Sequence, residues 1–328
     1  MTQSMFKRDP DCIAQREYVN VPAWHRAGHT GRGINVFCDD ADKTHAESVA
    51  DIVQTILPDA NVYYGNIGSR PEGGQIKLFC TAKNINVQSM EINEFIRRYN
   101  ISLINNSTGR QADTSGNPTA TQLALKEVLD RHNIIMTGAA GNDNEGHITC
   151  PWCNVAMMVN SARLKNGRPI HAPSSIGNKI DFAMFTGFQP GTSFASPFLL
   201  GLIGLLRCRF GRELTQAQAY DYLRSHAVDL RDEGRDNCTG WGLPVMGDPD
   251  EDYFKEDNMV VTFKIGSAVM DVDGKHTIMD EVPQYNQRGD RMMVPVKYVA
   301  EAFGCRTEWD EATRTAKFIK RRGRDLDD

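Results

Sequence analysis

Residues 191–206 constrain this chain more than any other stretch. Gly191-Thr192-Ser193-Phe194-Ala195-Ser196-Pro197 is a small, polar segment that passes straight into Phe198-Leu199-Leu200-Gly201-Leu202-Ile203-Gly204-Leu205-Leu206. A helix that is apolar all round must be buried. The apolar run is far too short to span a bilayer, so no membrane span is expected. The expectation is a core helix whose first turn holds Ser193 beside backbone N–H groups that have no helical partner. The chain has 328 residues, 40% hydrophobic and 24% charged, enough for a sizeable core and for two domains.

The surroundings of that helix read as α/β. Ile34-Asn35-Val36-Phe37-Cys38 is a short buried strand after the Gly31-Arg32-Gly33 turn. Thr44 followed by Glu47 predicts a capping box, and Val49, Ile52, Val53, Ile56 and Leu57 continue at helical spacing. Further strands are predicted over 61–64, 101–105, 133–137 and 155–160. Further helices are predicted over 92–99 and 121–131, the latter burying Leu123, Leu125, Val128 and Leu129. Gly65 to Gly74 reads as a polar loop. Strands alternating with helices imply a mostly parallel sheet in a three-layer α/β/α arrangement. Sites in such sheets lie beyond the carboxyl ends of the strands.

The style changes after Gly247. Residues 248–257 are acidic and read as a linker. Residues 258–320 read as a small α+β domain, with strands over 260–264 and 267–272 and a hairpin turn at Asp273-Gly274. A strand over 293–296, a helix over 298–303 stopped by Gly304, and a hairpin of 306–309 with 315–319 complete it. Residues 321–328 form a charged tail.

A net charge of −5 gives no global basic field, so nucleic acid is not an expected partner. The eight cysteines are irregularly spaced and Met1 to Pro10 carries no apolar segment. Together these imply reduced thiols and a cytoplasmic location. Cys150-Pro151-Trp152-Cys153 leaves three options: a redox pair, half a zinc site, or two thiols in a loop before a buried strand.

Four segments suggest shared chemistry. Ser193 at a helix start is a candidate nucleophile, with nearby N–H groups able to stabilise an oxyanion. His45 opens the helix after the first strand. Asp39 and Asp40 end that strand, close enough for one acid to orient the imidazole. Asn142, after Thr137-Gly138-Ala139-Ala140-Gly141, is a candidate amide donor to an oxyanion. Period-2 alternation puts Asp40 on the face of Ile34, Val36 and Cys38, which favours it over Asp39.

These segments resemble the subtilisin-like serine proteases. Gly191 to Pro197 matches the family's nucleophile motif, Gly138 to Asn142 its oxyanion motif, and Ile104-Asn105-Asn106-Ser107-Thr108-Gly109 its substrate strand. Ala27 to Val36 matches the lead-in to the catalytic acid, and Gly240-Trp241-Gly242-Leu243 a motif near the family's carboxyl-terminal edge. His45 with Val49, Ala50 and Ile52 matches the histidine motif, although Ala46, Glu47 and Ser48 replace its Gly, Thr and second His. The order Asp, His, Ser is the family's order, and the resemblance covers residues 20 to 247. It implies a serine endopeptidase with Asp40, His45, Ser193 and Asn142 as catalytic residues and a peptide or protein as substrate. It also implies an extended peptide pairing with Ser107, Thr108 and Gly109, opposite a pocket wall of Ala139, Ala140 and Gly141. Asp143 at the rim would favour a basic or polar residue at the cleavage position. No cofactor is expected, since no calcium loop is recognisable. Only four residues separate Asp40 from His45, where the family carries a long insertion. That departure and the replaced residues after His45 motivate an alternative, an inactive scaffold that binds peptides or partners. Residues 258 to 320, through Arg291 to Gly304, Trp309-Asp310 and Thr313-Arg314-Thr315, resemble the copper amine oxidase N-terminal module. This implies binding of a protein partner rather than copper chemistry.

Overall fold

The computed structural model describes residues 5–108, 117–143, 148–254, 261–272, 275–287, 289, 291–302, 305–311 and 313–320. The chain divides into two compact units, Met1–Glu251 and Asp252–Asp328.

In the first unit three short helices, α1 (Met5–Arg8), α2 (Pro10–Tyr18) and α3 (Val21–Arg26), precede the sheet. Strand β1 (Asn35–Asp39) leads through helix α4 (Lys43–Ile56) to β2 (Asn61–Glu72), β3 (Gln75–Ala82) and β4 (Val87–Glu91). Then come α5 (Ile92–Tyr99), β5 (Leu103–Asn106), α6 (Ala120–His132), β6 (Ile135–Ala139), β7 (Met157–Lys165), β8 (Arg168–His171) and β9 (Ile180–Phe185). Helices α7 (Thr192–Phe210) and α8 (Gln216–Ser225) and a small ribbon, β10 (Ala227–Val228) with β11 (Leu243–Pro244), complete the unit. The sheet runs β4-β3-β2-β1-β5-β6-β7-β8, with β9 also paired to β7. Pairing is parallel through β2-β1-β5-β6-β7 and on to β9, and antiparallel at β3, β4 and β8.

One face of the sheet carries an apolar cluster in which Phe37 and Ile104 meet Phe95, Leu125 and Trp152. The α4 and α7 helices pack together, and α7 also lies against β5, β6, β7 and β9. Helix α7 is long and apolar enough by composition to cross a membrane, but 78% of that window is buried inside the unit. It is the core helix that the sequence pattern implies. Its Gly201 and Gly204 let α4 approach closely: a Cβ at Gly201 would lie 2.7 Å from Ile56 Cβ, and one at Gly204 2.3 Å from Leu57 Cδ1. Arg207, buried near the end of α7, donates to the carbonyls of Ser102, Asn133 and Leu214. Burial lowers its pKa to about 10, which still leaves it charged at neutral pH.

The structure corrects four expectations. The stretch from Gly65 to Gly74 is not a loop: β2 runs on to Glu72 and turns at Gly73-Gly74 into β3. Residues 68–75 are exposed, so no alternation of apolar residues marks the strand. Gly65 is needed there, because a Cβ would lie 1.8 Å from the Thr81 carbonyl oxygen. Asp42, not Thr44, caps α4, its carboxylate accepting from His45 N at 2.9 Å. Glu47, cast as the other half of a capping box, instead accepts from Tyr64 Oη. Leu123 is 52% exposed, since Gln122 takes the inward position of α6 and donates to Pro151 O.

In the second unit β12 (Val261–Phe263), β13 (Val269–Val272) and β14 (Lys275–Ile278) form an antiparallel sheet. Two ribbons, β15 (Gln284–Tyr285) with β16 (Met292–Met293) and β17 (Cys305–Asp310) with β18 (Thr315–Lys320), flank helix α9 (Val296–Ala302) in sequence. Met270, Met279 and Tyr298 form its small core. The turn at Asp273-Gly274, the stop at Phe303-Gly304, linker residues 255–257 and the tail 321–328 lie outside the described residues.

The α4–α7 contact can be tested directly. Overpacking costs about 1–3 kcal/mol and removing a mid-helix glycine returns about 1 kcal/mol. Gly201→Ala is therefore expected to lower the denaturant midpoint, by more than Gly204→Ala, whose neighbour is the flexible end of Leu57. A stabilised Gly201→Ala protein would contradict this packing.

Candidate active site

The site forms where β1, β5 and β6 end and α4 and α7 begin. At the end of β1 the Asp40 N–H donates to Gly65 O, which fixes the backbone. The Asp40 carboxylate is buried, its Oδ1 accepting from Asp42 N at 3.0 Å. Its Oδ2 is hydrogen-bonded to His45 Nδ1. The Asp42 cap fixes the first turn of α4 and so the direction from which His45 reaches Asp40. A proton held at Nδ1 leaves the lone pair on Nε2. The hydrogen bond to Asp40 raises the His45 pKa above its ordinary value, against a lowering from burial. The imidazole packs edge-on to the Phe194 ring, centroids 5.6 Å apart, one residue from Ser193. His45 therefore pairs with Asp40 and not with Asp39, whose side chain turns toward the other layer.

Ser193 is the second residue of α7. The cap residue Gly191 has φ 122°, a conformation open to glycine, and packs close to Asn142. Asn142 Oδ1 accepts from Thr192 N at 2.9 Å and from Thr192 Oγ at 3.2 Å. With its oxygen so engaged, the exposed Asn142 can offer Nδ2 to a ligand. Thr192 Oγ1 also accepts from Gly141 N at 3.0 Å, so one hydroxyl ties the end of β6 to the start of α7.

Pro197 ties α7 to β5. It has no N–H to give to the carbonyl four residues back, that of Ser193. That carbonyl instead accepts from Ser107 Oγ at 2.8 Å. Ser193 Oγ in turn donates to Ser107 O at 3.3 Å, a long contact. Beneath them Ser196 Oγ donates to Asn105 Oδ1 at 2.6 Å, and Asn105 Nδ2 donates to Ser107 Oγ at 2.8 Å.

The remaining sequence candidates fall around this centre. Ser107 is buried and Thr108 half-buried at the exit of β5, while Gly109 lies outside the described residues. Ala139, Ala140 and Gly141 are buried at the exit of β6, and Asp143 is exposed beside Asn142. A Cβ at Gly141 would lie 2.4 Å from Thr149 Oγ1, so glycine is required there. Thr192 and Asp42, which set the geometry, were not among the sequence candidates; Thr192 sits inside the nucleophile motif, where it could have been found. Cys150 and Cys153 are buried in a loop before β7, and burial pushes the Cys150 thiol up. Among the described residues no group of three His, Cys, Asp or Glu side chains could hold a metal ion.

Residues 250–318 match the copper amine oxidase N-terminal domain. The subtilisin-like protease PopC of Myxococcus xanthus (strain DK1622) is 28% identical over 157 residues, 42% of this chain and 32% of that protein's length. A lanthipeptide protease superposes with a TM-score of 0.53 at 15% identity, covering 74% of this chain and 96% of its own. Fervidolysin from Fervidobacterium pennivorans, a keratinolytic enzyme related to subtilisin, gives 0.50 at 16% identity, covering 75% and 46%. The chain has the fold of the subtilisin-like proteases, and it carries a carboxyl-terminal segment like the copper amine oxidase N-terminal domain.

Proposed function

We propose that this chain is a serine endopeptidase of the subtilisin type. The observation that carries the reading is the buried Asp40 carboxylate bonded to His45 Nδ1, beside the turn of α7 that holds Ser193. Ser193 Oγ attacks the scissile carbonyl and passes its proton to His45 Nε2. Asp40 keeps the imidazole in the required tautomer and stabilises the imidazolium that forms. Asn142 Nδ2 and the Ser193 backbone N–H receive the oxyanion, helped by the partial positive charge at the start of α7. His45 then protonates the leaving amine, and water hydrolyses the acyl-enzyme by the same base. The short Asp40–His45 connection does not part the pair, which favours catalysis over a peptide-binding scaffold.

The substrate is an extended peptide lying along Ser107 and Thr108, with the cleavage-site side chain against Ala139, Ala140 and Gly141. Asp143 makes that rim acidic and favours a basic or polar side chain there. The carboxyl-terminal unit serves a protein partner, and the setting is cytoplasmic.

A fluorophosphonate probe should label Ser193, and both Ser193→Ala and His45→Ala should abolish labelling. A well-folded native chain that is not labelled between about pH 6 and pH 9 would refute the mechanism. Asn142→Ala should lower kcat by about 10²–10³-fold with a smaller effect on KM, because its donor acts on the transition state.

The pH profile follows from His45. The base works only when neutral, and Asp40 raises its pKa, so the acid limb of kcat/KM should have its midpoint above the ordinary 6.5. Asp40→Asn removes the cause of that rise. It should move the limb to lower pH and cut kcat on the order of 10⁴-fold.

A further inference from the structure

Asp39 and the Cys150–Cys153 loop have no role in the chemistry above, and the structure joins them. Asp39 is the last residue of β1, 2% exposed, on the opposite side of the strand from Asp40. Its Oδ1 accepts from Ile67 N in β2 at 2.8 Å and from Asn66 Nδ2 at 3.5 Å. Its Oδ2 accepts from Asn106 Nδ2 in β5 at 2.7 Å and from Trp152 Nε1 in the cysteine loop at 3.3 Å. One buried carboxylate thus gathers donors from two neighbouring strands and a loop. Burial pushes its carboxyl up to about 6, while the Ile67, Asn106 and Trp152 donors pull it down.

Asn106 passes this restraint on. It is fully buried, and its Nδ2 is shared between Asp39 and Thr108 Oγ1, the latter at 2.9 Å. Its Oδ1 accepts from the Cys150 thiol at 3.4 Å. Both ends of the amide are held, so it has one orientation. Thr108 lies at the exit of β5, next to Ser107, whose N–H donates to Asp39 O. The main chain and the side chain of Asp39 therefore both hold the segment along which the peptide is to lie.

We propose that Asp39 is a positioning residue for substrate, acting through Asn106 to fix Thr108 and the peptide-binding edge at Ser107–Thr108. The Cys150–Cys153 loop takes part in this: Trp152 and Cys150 complete the hydrogen bonding of Asp39 and Asn106, with both thiols reduced. The inference rests on the peptidase reading and names a residue that sets how tightly an extended substrate is held.

The test compares a lysine tetrapeptide nitroanilide with a lysine methyl ester, which has no residues to pair with the edge. Asp39→Asn retains shape but turns one acceptor into a donor that faces other donors. It should raise KM for the tetrapeptide about tenfold, with kcat and the ester KM changed less than about threefold. Thr108→Val should raise the tetrapeptide KM as well, and the double variant should be no worse than the larger single effect, since both act along one path. Thermal midpoints of each variant are measured alongside. Tetrapeptide and ester kinetics that decline together, in step with lost folded protein, would show a merely structural role and overturn the inference. An unchanged tetrapeptide KM in a chain that labels normally with fluorophosphonate would overturn it alone. A native chain that does not label overturns the peptidase reading and this inference with it.

Discussion

The burial of α7 is the constraint on which the rest of the first unit depends. Fifteen of its nineteen residues are buried, so its position is set by packing on every side rather than by a single amphipathic stripe. Gly201 and Gly204 bring the end of α4 against it at backbone distance. The His45 helix and the Ser193 helix are thereby locked at one separation. The amino-terminal turn of α7 then stands at the carboxyl ends of β5 and β6, where Ser107 and Asn142 wait. Pro197 is part of the same device. A proline in the second turn would ordinarily weaken a helix, yet the carbonyl it releases is taken by Ser107 Oγ, so a local defect becomes a tie between the helix and the exit of β5.

The short path from Asp40 to His45 follows from the same geometry. A strand end and the start of the following helix are close in an α/β sheet whatever lies between them. Here Asp42 serves the connection twice, its N–H bonding Asp40 and its carboxylate capping α4 at His45 N. A connection of this length has little freedom, and the cap fixes where the imidazole points. An insertion is thus not needed to assemble the pair. What it would add is other surface around the cleft.

Much of this was legible in the sequence because the motifs sit where geometry permits few residue types. Gly191, Ser193, Pro197, Gly141 and Asn142 each meet a steric or hydrogen-bonding requirement that a reader can name. The helix over 92–99 was visible from apolar spacing, since it packs one side on the core, and the strands over 34–38 and 101–105 from their apolar runs, since β1 and β5 are buried on both faces; each strand ends one residue later, at Asp39 and Asn106. The β2–β3 hairpin was not, because its outer half is exposed and polar and borrows its order from pairing alone. Leu123 was misassigned because the helical stripe was counted from apolar residues only, whereas Gln122 is drawn inward by the Pro151 carbonyl, the Thr119 cap and Asn154. Thr44 was read as the cap because a Thr with a Glu three positions on imitates the signature, two residues after the actual cap Asp42. In the small second unit the strand at Val269–Val272, helix α9 and the β17–β18 hairpin were legible, but β14 and β15 were not, and 293–296 read as a strand where α9 already begins at Val296.

The choice between Asp39 and Asp40 shows how far a two-residue motif can be read. Pleating sends adjacent side chains to opposite faces, so the two acids cannot share a task. Asp40 faces α4 and finds an imidazole; Asp39 faces the cluster around Phe37 and Trp152 and finds amide and indole donors. A shift of one residue in the register of β1 would exchange these environments and break both sets of hydrogen bonds. The donors that hold Asp39 therefore also hold the register of β1 against β2 and β5. Asp39 itself lies on the opposite face of β1 from Asp40 and His45.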